Sequence, residues 1–263
     1  MSISKYSTAM AAVILCGISV GAAHATSVTV LDGSEGWANG DGNSEISSDA
    51  PRDGNGSLKV SGDRTRTFGL GNPFDANSNL GLLSDVTSFG FDWRLDSASV
   101  SNLASDYTPA LRLHIFDGSQ RSELIWEGAY NGTYGNTTSD TWYTASLTGT
   151  DADVMWRWET GPGITYDTNG AIVTETISDW ASGARYSAGA YVAAISVGAG
   201  SSVGDDYFAF VDNVSIGFGG ADAVTYNFET DAGAVIPVPA SLPLLAGALG
   251  LSAFVTRRRK KAA

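Results

Sequence analysis

Seven consecutive residues, Phe89-Gly90-Phe91-Asp92-Trp93-Arg94-Leu95, set large apolar side chains at every second position. In a β-strand successive side chains point to opposite faces, so Phe89, Phe91, Trp93 and Leu95 share one side and Asp92 and Arg94 the other. A strand that commits three aromatic rings to one face needs a second apolar layer to cover them. Leu111, Leu113 and Ile115 repeat the alternation against Arg112 and His114, and 124–126 is the expected hairpin partner across Asp117-Gly118-Ser119-Gln120. Further strands are expected at 28–31, 57–61, 141–147, 154–158, 172–177, 191–197 and 207–218, with a polar loop over 130–139. A single helical turn is as well supported as a loop over 178–187. The 32 glycines recur with Asn, Asp and Ser between these runs, which is turn punctuation. The expected fold is all-β, a two-sheet antiparallel β-sandwich over residues 26–230, with spacing close to that of known sandwiches.

Both termini carry addresses. Lys5 precedes an apolar core over 9–20, and Ala23-His24-Ala25 supplies the small residues of a signal-peptide cleavage site, so the exported chain is expected to begin at Thr26. Cys16, the only cysteine, leaves with that peptide, and Leu15 before it excludes a lipoprotein signal. The exported domain therefore rests on core burial, without disulfides. Lys5 and five basic tail residues also fall outside it, leaving nine Lys and Arg against 28 Asp and Glu, a net charge of −19. Such a surface repels phosphate backbones, which argues against nucleic acid and leaves divalent cations and neutral polymers as partners.

At the other end, Ile236-Pro237-Val238-Pro239-Ala240-Ser241-Leu242-Pro243 leads into an apolar run ending at Val255, followed by Arg257-Arg258-Arg259-Lys260-Lys261. The run over 242–255 is shorter than the roughly 20 residues of a membrane span unless the proline-rich start also enters the interface. The basic cluster is expected to stay cytoplasmic and leave the upstream chain outside. Three prolines within seven residues are costly in a plain anchor helix, which is the competing reading. The order of these parts resembles the VPLPA-type branch of the PEP-CTERM sorting signals, with Ile236 and Val238 departing from that family's Val and Leu. The resemblance implies a hydrophobic carboxy-terminal sorting helix over 231–263 with its linker. It also implies recognition of Pro237, Val238, Pro239 and Ala240 by an exosortase-type membrane protease, and delivery to the cell envelope, outer surface or extracellular matrix of a Gram-negative bacterium.

The 207–218 strand contains Tyr207-Phe208-Ala209-Phe210-Val211-Asp212-Asn213-Val214, and the amino-terminal part holds Asp32, Gly36-Trp37 and Gly56-Ser57-Leu58-Lys59-Val60. These short motifs resemble jelly-roll carbohydrate-binding modules, and the resemblance implies a jelly-roll architecture.

Catalytic signatures are scarce. Only His114 remains after export, and on the polar face of a strand it reads as a surface hydrogen-bonder. Glu123 and Glu127 share a face about 13 Å apart, beyond the spacing of either glycosidase class, and read as solvated surface. Trp156 and Trp158 flank Arg157, which puts both rings on one face about 7 Å apart, near the spacing at which two rings stack on a glycan. Trp126, Trp142 and Tyr143 are candidates to extend that platform. The competing reading makes these rings core aromatics, since Trp is usually well buried. For a domain without disulfides, a structural Ca²⁺ is expected from Asp32 and Glu35 in the first turn and Asp212 in the 207–218 strand, because calcium takes six to eight oxygens. The alternative leaves Asp32 making a turn with Gly33 and Asp212 capping backbone amides. The sequence thus points to a non-catalytic surface or matrix protein that is structural or binds extracellular polysaccharide. A glycan-active hydrolase or lyase of jelly-roll or lectin-like fold is the alternative.

Overall fold

The computed structural model of the chain describes residues 26–40, 43–63 and 68–231. The signal segment with Cys16 and the sorting segment from Pro237 to Lys261 lie outside the described residues. Among the described residues the strands are β1 (Thr26–Val30), β2 (Trp37–Asn39), β3 (Ser44–Ser47), β4 (Ser57–Ser61), β5 (Phe68–Gly71), β6 (Gly81–Leu82), β7 (Val86–Leu95) and β8 (Ala110–Asp117). They continue as β9 (Gln120–Trp126), β10 (Trp142–Ser146), β11 (Met155–Glu159), β12 (Gly163–Ile164), β13 (Thr174–Glu175), β14 (Tyr191–Gly198), β15 (Phe208–Phe218) and β16 (Val224–Phe228). A single helical turn, α1 (Ile177–Trp180), stands between β13 and β14.

The strands form two sheets packed face to face, a β-sandwich. One sheet runs β1-β16-β15-β4-β3, with β7 on the other side of β15 and β10 beyond it; the other runs β12-β11-β9-β8-β14-β5-β2, with β13 beside β11 and β6 beside β14. Pairing is antiparallel except between β1 and β16. The alternating residues of β7 do what their period demands: Phe89, Phe91, Trp93 and Leu95 are buried in the core. Phe91 and Trp93 meet Trp126 of the facing sheet at ring centroid distances of 5.0 and 6.0 Å. A second aromatic contact joins Phe228 of β16 to Trp37 and Phe68 of the other sheet, at 5.0 and 5.7 Å. Each such ring removes large apolar area from water and adds edge-to-face attraction, so these two seams tie the layers together.

The β8–β9 hairpin closes across Gly118-Ser119, with Asp117 paired to Gln120 and Gly118 at φ +60°. That positive φ is where glycine carries no steric penalty. The expected strand at 172–177 is shorter than its apolar content indicated, because Thr176 caps a helical turn by accepting from the Asp179 amide. Trp180 then donates its indole N–H to the Met155 carbonyl at 2.9 Å, and Arg157 lies over the Trp180 and Tyr186 rings at 5.5 and 5.3 Å.

A calcium site shared by Asp32, Glu35 and Asp212 would bring the first strand beside the 207–218 strand, and the strand order differs. β1 does not neighbour β15: β16 lies between them and pairs with both. Along β15, Phe208 to Val211 pair with β4, while Val214 to Ile216 pair with β16. The register slips between Asp212 and Ser215, at the handover from one neighbour to the other. Asn213 sits there at φ +50°, the left-handed conformation that Asn tolerates better than most residues.

Candidate functional site

On β8 and β9 the residues Leu111, Leu113, Ile115, Leu124 and Trp126 face the core, so Arg112, His114, Glu123 and Ile125 face outward. Register aligns these into rows across the sheet. Ser196, Arg112, Ile125 and Trp156 form one row, and Ala194, His114, Glu123 and Trp158 the next. The row members on β8 and β9 are nevertheless buried, His114 to 0% and Glu123 to 2% relative exposure. Part of the cover comes from the segment after β5. Arg121 donates from Nε to the Pro73 carbonyl at 2.7 Å, and its guanidinium lies 4.7 Å from the Phe74 ring and 5.6 Å from the Trp158 ring.

What remains open is a cleft of about 390 Å³, lined by Phe74, Arg112, Arg121, Glu123, Ile125, Glu127, Trp156, Trp158, Gly200 and Ser201. A second hollow of similar volume, around Asn43, Glu45, Gly62 and Asp205, contains no aromatic side chain.

Charge in the cleft is arranged around Glu123. Arg121 Nη2 bonds Glu123 Oε1, Arg112 Nε lies 3.7 Å from Oε2, and His114 Nδ1 lies 3.6 Å from Oε1. Burial pushes the His114 pKa down, which keeps the imidazole neutral at pH 7, and its Nε2 meets Ser196 Oγ at 2.8 Å. Two guanidiniums therefore balance the Glu123 charge. Glu127, just past the end of β9, is different: burial raises its pKa, against the opposing field of Arg112 and the hydrogen bond from Tyr107. Tyr107 Oη donates to Glu127 Oε1 at 3.4 Å. Gly200 permits this, since a Cβ there would lie 1.8 Å from the Tyr107 hydroxyl.

These placements revise several expectations. His114 is fully buried rather than at the surface, and Glu123 and Glu127 line a cleft rather than solvated surface. Trp156 and Trp158 are half-buried on one face of one cleft. Trp126 points the opposite way, buried in the core with its indole N–H on Asp153 Oδ2 at 2.9 Å. Trp142 and Tyr143 belong to the other sheet, where Tyr143 stacks on Trp93 at 4.8 Å. Of the five rings, only the β11 pair lines the cleft. Phe74 and Arg112, which line the cleft, and Tyr107, which reaches Glu127 from the core, were not singled out from sequence, because their meeting depends on strand order.

The expected calcium ligands are not assembled. Asp32 and Glu35 are exposed, and among the described residues no group of three or more His, Cys, Asp or Glu side chains could hold a metal ion. Gly33, at φ +70°, follows Asp32 in a turn. Asp212 is fully buried and accepts at Oδ1 from the Asn213 and Phe228 amides, at 2.8 and 2.9 Å, as the capping alternative held. Its Oδ2 has no hydrogen-bond partner, and its pKa is pushed up to about 8, by burial first and then by the fields of Glu229 and Asp53.

No protein-family model matches the chain, and no curated protein matches it in sequence. Among the described residues no helix is long and apolar enough to cross a membrane.

Proposed function

We propose that the chain is an exported cell-surface or matrix protein whose β-sandwich, read as a jelly roll, binds a neutral extracellular polysaccharide through the cleft on β11. The observation that carries this reading is the placement of Trp156 and Trp158, half-buried on one face of a cleft that also holds the Glu127 carboxyl. Indole faces stack on the apolar face of a sugar ring, and a carboxyl at the same floor offers hydrogen bonds to its hydroxyls. The excess of acidic residues favours a neutral polymer over an anionic one. Engagement of both Glu123 oxygens by Arg112, Arg121 and His114 supports binding over catalysis, because a carboxylate occupied on both sides is not free to take a substrate proton. The test is retention on a panel of insoluble neutral polysaccharides. The wild type is retained on at least one, and failure on all of them contradicts the reading.

Export through the 1–25 signal and sorting through Pro237, Val238, Pro239 and Ala240, with Arg257, Arg258, Arg259, Lys260 and Lys261 as the cytoplasmic stop, belong to the same proposal. An exosortase-type protease is the proposed partner, with transient or permanent anchoring through the tail. Deleting 236–263 should abolish surface retention and leave the domain folded. Identical location and mass for the deleted and full chains after fractionation contradict the sorting role. For calcium, which takes six to eight oxygens, the proposed set stays Asp32, Glu35 and Asp212, of which only Asp212 carries a buried oxygen without a partner.

A further inference from the structure

The aromatic surface of the cleft does not end at β11. The outer edge of β11 is paired with both arms of one hairpin, β12 beside its carboxy-terminal half and β13 beside its amino-terminal half. Trp158 lies opposite Ile164, and two residues further on is Tyr166. Trp156 lies opposite Thr174, two residues before which is Ile172, and Ile172 pairs with Tyr166. Thr165, just before Tyr166, donates its amide to the Arg157 carbonyl between the two tryptophans, so Tyr166 leaves the edge of β11 beside them.

Tyr166 is 54% exposed. Tyr130, 37% exposed, stands in the turn just after Glu127, within the electrostatic reach of both Glu127 and Tyr166. Among the described residues six large hydrophobic side chains are exposed, and the three aromatic ones are Phe74, Tyr130 and Tyr166. Phe74 and Glu127 line the cleft, and Tyr130 and then Tyr166 follow from Glu127, whereas Leu82, Val100 and Leu103 lie on other segments. Exposed aromatics gathered around one opening mark a binding surface. A cleft of about 390 Å³ is at the small end for an organic ligand, so a ligand that also reaches Tyr166 must be longer than the cleft.

Resting on the glycan reading of the cleft, we infer that this site takes an extended neutral chain of several sugar units, with Trp156 and Trp158 holding the units inside and Tyr166 and Tyr130 forming an outer subsite. Single sugars fill only the inner part. Tyr166 and Tyr130 then set chain-length preference without being needed for the inner contact.

The experiment is calorimetric titration of the full chain with β-1,4-linked gluco-, manno- and xylo-oligosaccharides, from disaccharide to hexasaccharide. For the series that binds, affinity should rise about tenfold or more from shortest to longest. Tyr166→Ala and Tyr130→Ala should each weaken hexasaccharide binding about fivefold to tenfold, as for truncated anchor residues, and leave disaccharide binding within about twofold. Unchanged melting midpoints exclude misfolding as the cause. Length-independent affinity, or tyrosine variants indistinguishable from wild type on the hexasaccharide, overturns the outer subsite while the inner glycan site stands. Absence of binding at every length in all three series overturns the glycan reading itself.

Discussion

Trp158 lies directly opposite Glu123 across β11 and β9, and Arg121, which ion-pairs with Glu123, lies 5.6 Å from the Trp158 ring. The ring that is proposed to hold a sugar thus rests beside a buried ion network. Removing Glu123 leaves Arg112 and Arg121 without the anion that balances them, and breaking a buried pair in this way costs about 3–5 kcal/mol. Glu123→Ala should therefore lower the melting midpoint by roughly 10 °C, at the 2–4 °C per kcal/mol expected of a domain this size. A midpoint within a degree or two of wild type in thermal denaturation would show that the network carries no such load.

Asp212 gives a pH signature. Its pKa is about 8 in the folded chain against 3.8 as the unperturbed value, so the folded state holds a proton that the unfolded state releases. The contribution of this group is complete below about pH 4 and is lost as pH rises through about 8. Buried His114 works in the opposite sense up to about pH 6.5, so the signature is the difference between wild type and Asp212→Asn: in denaturant titrations the advantage of wild type over the variant should shrink as pH rises from about 4 to 8. A difference that stays constant or grows over that interval would contradict the assignment.

A calcium ion at Asp212 would compete with that proton. If the ion sits at Asp212, millimolar Ca²⁺ should raise the melting midpoint more at pH 8 than at pH 5, a chelator should reverse the gain, and Asp212→Asn should abolish it. An equal shift in the variant removes Asp212 from the site.

Legibility of the chain followed side-chain period. Alternation in β7 and β8 placed Phe89 to Leu95 and Leu111 to Ile115 on the core side without knowledge of any partner, and Asp117 to Gln120 fixed the hairpin. The outer face of β8 and β9 was harder. His114 and Glu123 stand on polar positions, and a polar position faces water unless another segment covers it. The cover includes Phe74, some 40 residues away in sequence, and strand order decides that meeting. A signal was present in the opposite charges of Arg112 and Glu123 on adjacent outward faces, but it acquires meaning only with the register. Trp126 was misplaced for a simpler reason. Two residues on from core-facing Leu124, its parity alone assigns it to the core.

Trp126 therefore provides the control for the cleft. Trp126→Ala empties a core position against Phe91 and Trp93 and should cost about 3–5 kcal/mol. Trp156→Ala and Trp158→Ala, at half-buried positions, should cost less than about 2 kcal/mol. Differential scanning calorimetry orders the three, and equal losses at all three sites would return the β11 pair to the core.

The most direct test of the cleft is retention of Trp156→Ala and Trp158→Ala on the neutral polysaccharide that holds the wild type, with melting midpoints recorded on the same samples. The proposed site predicts that each variant elutes early while remaining folded. Full retention of both folded variants would contradict a glycan site on β11.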